Sequence, residues 1–104
     1  MSPVHLRTVS KLGKNISITK ERWDYIITVK HLELKGKEAE VAKTLADPDE
    51  IRLSKSDQST YLYYRKFTRL SLVIVAKHLN GSGFIITAYF TDRIKEGKQI
   101  WRKP

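Results

Sequence analysis

The hydrophobic period of the chain changes once, near residue 49. Before that point apolar residues recur at helical spacing; after it they alternate. Thr19 is a good helix N-cap, because its hydroxyl can accept an orphan backbone N–H, and Glu21 suits the positive end of the helix dipole. The helix so predicted runs from about Lys20 to His31 and turns Trp23, Ile26 and Ile27 toward a core. Gly36 interrupts the pattern. A second helix, about Lys37 to Ala46, buries Val41, Ala42 and Leu45. It stops at Asp47-Pro48, since proline cannot continue the backbone hydrogen bonding.

The second half alternates. Glu50–Lys55 puts Ile51 and Leu53 on one face and Arg52 and Ser54 on the other. Ser56-Asp57-Gln58-Ser59 is a polar turn, and Thr60–Phe67 reads as an aromatic-rich strand. Leu70–Leu79 holds the apolar run Leu72-Val73-Ile74-Val75-Ala76 and is expected as a central strand. Asn80-Gly81-Ser82-Gly83 predicts a hairpin turn into a strand over Phe84–Phe90. Asp92–Gly97 suits one helical turn and Gln99–Trp101 a short tail strand. Ile16 and Ile18 mark a short strand or lead-in, and residues 1–15 an arm without periodicity.

Helices that precede strands predict an α+β fold: two N-terminal helices packed on one face of a four-stranded antiparallel sheet, the other face open. The expected organisation is a basic arm, 1–15, and one domain, 16–104. Ile51, Leu53, Leu72, Ile74, Ala76, Phe84, Ile86 and Ala88 are assigned inward, with Trp23, Ile27 and Leu45 opposite. Alternation then sends Arg52, Ser54, Lys77, Thr87 and Tyr89 outward. For Thr60–Phe67 two registers stay open: either Tyr61, Tyr63 and Arg65 or Tyr64 and Lys66 share the outer face.

Charge gives that outer face a meaning. The formal net charge is +9 over 104 residues. Residues 1–50 carry nine Lys/Arg against eight Asp/Glu, whereas residues 51–104 carry eleven against three, a net of +8. A directed positive field is the usual footprint of a phosphate-backbone partner. Arg, Lys, hydroxyls and tyrosines on one surface suit RNA: cations hold phosphates and aromatic rings stack bases. The plain alternative is that Tyr and Thr simply favour sheets. Lys55, Tyr63, Tyr64, Arg65 and Lys77 are the candidate RNA-binding residues.

The chain has no cysteine, which excludes disulfides, thiolate catalysis and Cys-based zinc sites. A domain without such staples is at home in the cytoplasm. No apolar run approaches the roughly 20 residues of a membrane span, and the first residues lack the apolar stretch of a signal peptide. Three scattered histidines give no metal-ligand spacing. No phosphate-binding glycine fingerprint and no Ser/His/Asp triad is present, so neither metal nor cofactor is expected. His31, at the end of the first helix, is the best candidate general acid or base in the helical half, because histidine titrates near neutral pH. Its plain alternative is a surface histidine favoured by the helix dipole. His78, beside the hairpin turn, is expected to be exposed and structural.

Several segments together resemble a known family. They are Ile18-Thr19-Lys20-Glu21-Arg22-Trp23-Asp24-Tyr25-Ile26, Lys30-His31-Leu32-Glu33, and Asp47-Pro48-Asp49-Glu50-Ile51-Arg52 with Ser54. Tyr63-Tyr64, Gly83-Phe84-Ile85-Ile86-Thr87-Ala88-Tyr89 and Asp92-Arg93-Ile94-Lys95-Glu96-Gly97 follow in order. The succession resembles the phage-type barnase–EndoU–colicin–RelE-like nucleases over about residues 16–101. The resemblance implies a barnase/RelE-like arrangement and metal-independent endoribonuclease activity, in which a 2′-hydroxyl attacks its own phosphodiester. By position, His31, Arg52, Ser54, Thr87 and Tyr89 match the family's catalytic set, and Tyr64 is a further match. One departure is Leu32, where the family pattern has proline after Arg-His; Lys30 stands in the arginine's place and lacks its planar fork.

The expected function is therefore a toxin-like ribonuclease of a toxin–antitoxin or phage-related system. Its partners would be RNA, with the ribosome and an acidic antitoxin or inhibitor protein as further candidates, and no membrane. The competing reading is a non-catalytic RNA- or ribosome-binding module, which needs the same electrostatics without proton transfer.

Overall fold

The computed structural model describes residues 3–93 and 96–104. Its strands are β1 (Val4–Val9), β2 (Asn15–Thr19), β3 (Glu50–Leu53), β4 (Thr60–Phe67), β5 (Leu70–His78), β6 (Ser82–Thr91) and β7 (Lys98–Arg102). The helices are α1 (Lys20–Tyr25), continued by a π turn over Ile26–Lys30, and α2 (Glu38–Ala46), with a 3-10 turn at Leu32–Leu34 between them. All seven strands join one mixed sheet in the order β1-β2-β6-β5-β4-β3-β7.

This corrects the expected four-stranded antiparallel sheet. The central strands β3 to β6 form the predicted antiparallel meander, but residues 4–9 are strand β1 rather than an arm. β1 and β2 make a hairpin ahead of α1, so strands flank the helices on both sides. β2 joins β6 in parallel, over Asn15–Ser17 and Ser82–Phe84 only. Gly83 permits that junction: a Cβ there would strike the Lys77 carbonyl oxygen and come within 2.7 Å of Ile16 Cδ1. At the other edge β7 pairs with β3.

Local chemistry explains the elements that were legible. The Thr19 hydroxyl accepts from the Arg22 N–H at 3.1 Å and caps α1. α2 ends at Asp47, ahead of Pro48. The Leu79 N–H donates to the Ser82 carbonyl around Asn80-Gly81, where Gly81 adopts φ +81°.

Pairing settles which face each side chain takes. Tyr63 lies opposite Ile74 and Ile51, and Tyr61 opposite Ala76, so these tyrosines face inward. Tyr64 and Lys66 face outward, opposite Val73 and Ser71. In β6 the register shifts: Val75 meets Thr87 but Ala76 meets Ile85, leaving Ile86 as an extra residue. This bulge resets the alternation. Gly83 and Ile85 are therefore buried, while Phe84 and Ile86, expected in the core, are exposed. The core holds Ile16, Ile18, Trp23, Ile26, Leu34, Val41, Leu45, Ile51, Tyr63, Leu72, Ile74, Ala76, Ile85 and Ala88, with Ile27 partly buried beside it.

His78 is buried rather than exposed. It stacks on Tyr61 with ring centroids 3.8 Å apart, and its Nε2 lies 2.8 Å from the Tyr63 hydroxyl. That hydroxyl also donates to Ser10 Oγ at 3.0 Å, which ties the tip of the β1–β2 hairpin to the sheet. Burial, with a smaller contribution from Lys14, pushes the His78 imidazole down to about 4. Among the described residues no helix is long and apolar enough to cross a membrane.

Candidate nucleic-acid site

Beyond Phe84, where its pairing with β2 ends, β6 borders a cleft that it shares with α1 and the π turn. The π turn is closed by the His31 N–H, which donates to the Ile26 carbonyl at 2.6 Å. Winding the chain more widely than an α-helix, it delivers His31 to the sheet edge. There the imidazole packs against Tyr89, with ring centroids 5.8 Å apart and planes inclined by 34°. Glu33 Oε2 lies 3.6 Å from His31 Nδ1.

A pocket of about 540 Å³ opens at this contact, lined by Arg22, Tyr25, Ile26, Lys30, His31, Ile86, Thr87 and Tyr89. Two cations, an imidazole, two phenols and a hydroxyl meet there, and among the described residues no carboxylate lines it. Burial, and then the Glu96 carboxylate, hold the Tyr89 phenol above its ordinary value, so it keeps its proton at neutral pH and is a hydrogen-bond donor. His31, Thr87 and Tyr89 thus meet at one pocket. Arg22 and Lys30 were not assigned to the site. A signal existed: Arg22, Ile26 and Lys30 recur every four residues and share one helical face.

Arg52 and Ser54 lie elsewhere. β3 stands three strands from β6, about 14 Å at ordinary strand spacing. Arg52 and Ser54, with Lys55, Ser56, Leu62, Glu96 and Gly97, line a separate pocket. The Arg52 guanidinium is engaged: Nε donates to Glu50 Oε2 at 2.5 Å and Nη1 to the Gly97 carbonyl at 2.9 Å. The Ser54 hydroxyl pairs with that of Ser56 at 3.1 Å.

The expected RNA-binding residues are scattered in the same way. Tyr63 has 0% exposure and belongs to the core, out of reach of a base. Tyr64 is outward but only 2% exposed; it is packed with Leu62 and Val73, and its hydroxyl accepts from the Glu96 N–H at 3.3 Å. Arg65 is on the helix side, in a groove with Ala39, Glu40 and Lys43. Lys77 faces outward and pairs with Asp57 at 3.0 Å. Asp57 also accepts from the N–H and hydroxyl of Ser59 and from Thr60, which holds its carboxyl far below the usual range. Lys55 is exposed in the turn after β3.

The outer face is not open throughout. Glu96 and Gly97, ahead of β7, cover part of it: the Glu96 N–H donates to the Tyr64 hydroxyl and the Gly97 carbonyl accepts from Arg52. The helical turn expected over Asp92–Gly97 includes Ile94 and Lys95, which lie outside the described residues. Among the described residues no group of three His, Cys, Asp or Glu could hold a metal ion. No family model, curated protein or solved structure matches the chain.

Proposed function

We propose that this protein is a metal-independent endoribonuclease whose reaction centre is the pocket between the π turn and β6. The observation that carries this reading is the His31–Tyr89 contact, in a pocket lined by Arg22, Lys30 and Thr87 and, among the described residues, by no carboxylate. Cleavage of RNA by its own 2′-hydroxyl needs a proton acceptor, a proton donor and positive charge at the phosphoryl oxygens. The pocket supplies each from a different side chain.

In the proposed reaction His31 takes the proton from the 2′-hydroxyl, and the 2′-oxygen attacks phosphorus. The P–O5′ bond breaks, and the leaving O5′ takes a proton from the Tyr89 phenol. The products are a 2′,3′-cyclic phosphate and a 5′-hydroxyl; the proton gained by His31 then returns to Tyr89 through solvent, which restores both side chains with no net change in protons. Arg22 and Lys30 balance the charge of the pentavalent state, and the Thr87 hydroxyl positions the phosphate. Arg52, held by Glu50, acts on the fold of the outer face rather than on the scissile phosphate. RNA is the proposed partner, in the cytoplasm; the same basic surface suits ribosomal RNA or an acidic inhibitor protein.

The second reading, a non-catalytic RNA-binding module, is favoured by the concentration of cations away from His31, around Lys66 and Arg102. Incubating the pure protein with end-labelled RNA in EDTA separates the two. Fragments ending in cyclic phosphates support the nuclease; intact RNA that stays bound supports the module.

A further inference from the structure

On the outer face, beyond Tyr89, lies a basin of about 650 Å³. Five cations line it: Arg52, Lys66, Arg69, Arg93 and Arg102. Three carboxylates, Asp49, Glu50 and Asp92, also line it, but two of them already serve the fold. Asp49 Oδ2 accepts from the Lys66 N–H at 2.6 Å, and Glu50 holds Arg52. Among the described residues Lys66, Arg69, Arg93 and Arg102 form no ion pair. All four are exposed. Four like charges around one concavity repel one another and focus a positive field into it. The hydroxyl-bearing residues Ser71 and Thr91 complete the lining.

The basin adjoins the proposed reaction centre. Thr91 follows Tyr89 by two residues on the same face of β6, about 6.6 Å along the strand. From there the lining passes through Ser71 of β5 and Lys66 of β4 to Glu50 and Arg52 of β3 and Arg102 of β7. Ligands for such a lining carry several negative charges at intervals rather than one.

We propose that this basin binds consecutive phosphates of single-stranded RNA flanking the residue held at His31. The proposal rests on the cleavage reading for its choice of ligand. Free arginines suit the task, since a guanidinium meets a phosphate through two parallel hydrogen bonds. The basin then sets affinity for long RNA without taking part in proton transfer.

The test uses the double variant Arg69→Ala/Arg93→Ala, which removes two exposed side chains. The probe is a fluorescein-labelled 2′-O-methyl oligoribonucleotide long enough to cross the sheet; it lacks the attacking hydroxyl and is not cleaved. Anisotropy titrations across a salt series should show affinity weakened about tenfold or more, with the logarithmic salt slope reduced by about 1.4 for two lost contacts. Cleavage of an unmodified long RNA should show a raised KM with kcat kept, and cleavage of a dinucleotide should not change. Unchanged affinity and slope would overturn the basin even if His31 proves catalytic. A wild type that cleaves nothing, with the double variant still showing the predicted loss of slope, would overturn the cleavage reading and leave the basin standing. Wild-type protein that ignores the probe and binds anionic vesicles or an acidic peptide would also overturn the proposal.

Discussion

The carboxylate of Glu50 holds the guanidinium of Arg52, two residues along the same strand and on the same outer face of the sheet. The pair is mostly shielded from solvent, and Arg52 extends it to the Gly97 carbonyl just ahead of β7. An arginine fixed in this way stabilises the fold. Arg52→Ala should therefore lower stability by about 2 kcal/mol, the scale of hydrogen bonds to a charged group. Urea unfolding should show a lower midpoint with an unchanged slope. An unaltered midpoint would mean that the pair contributes nothing and that the cation is available for other work.

His78 predicts a pH dependence. Its folded-state value, about 4, lies below the ordinary 6.5. The unfolded chain takes up a proton there first, so stability is full above about pH 6.5 and is lost as pH falls toward about 4. The loss is at most about 3 kcal/mol. Glu38, Asp47 and Asp57 are held below their ordinary values of 4.5, 3.8 and 3.8, so their contributions fade only in more acid solution. Between pH 6.5 and 4.5 the fall should thus follow His78, and His78→Gln should flatten it. Urea midpoints that stay level in the wild type over this interval would contradict the buried neutral imidazole.

Gly83→Ala tests the parallel junction. The added methyl group meets the Lys77 carbonyl on one side and Ile16 on the other. We expect a loss of about 1–3 kcal/mol, the usual cost of overpacking. Hydrogen exchange should quicken in β1 and β2 before it does in β4 and β5. Uniform protection across the sheet would show that the junction adjusts freely.

These features also mark where the sequence stopped being informative. The alternation of β3 to β6 and the Asn80-Gly81 turn were readable because strand period and turn chemistry are local. β1 was not: Val4, Leu6 and Thr8 alternate with His5, Arg7 and Val9, a mixed edge strand with no apolar face of its own. Its pairing with β2, and that of β2 with β6, joins segments whose contact no local pattern records. A single extra residue at Ile86 then exchanged Phe84 and Ile86 for Gly83 and Ile85 in the core.

The site was legible in the same proportion. Thr87 and Tyr89 kept their outward positions because the bulge precedes them. His31 reached them through a π turn that a helical repeat does not foretell. Tyr63 was misplaced among the RNA-binding candidates because an aromatic run fits either register until its neighbour strand is known. Arg69, Arg93 and Arg102 left no trace beyond the net charge, since the fold alone gathers them.

Within the proposed pocket, Arg22→Ala and Lys30→Ala should each slow cleavage about 10- to 100-fold, the range for a charge-assisted contact made to the transition state. Tyr89→Phe should slow it about 10²-fold while leaving the fold intact, because only the hydroxyl is removed. Single-turnover rates on a dinucleotide separate these effects from RNA binding. Rates equal to wild type in all three variants would move the chemistry away from this pocket.

The central claim is that His31 exchanges the proton of the attacking hydroxyl, and His31→Ala tests it most directly. The measurement is the single-turnover rate of RNA cleavage in EDTA, with the product ends identified. The wild type should give 2′,3′-cyclic phosphate ends, and His31→Ala should be about 10²-fold slower or more with its circular dichroism and RNA affinity retained. Cleavage by His31→Ala at the wild-type rate, or wild-type cleavage abolished by EDTA, would contradict the account.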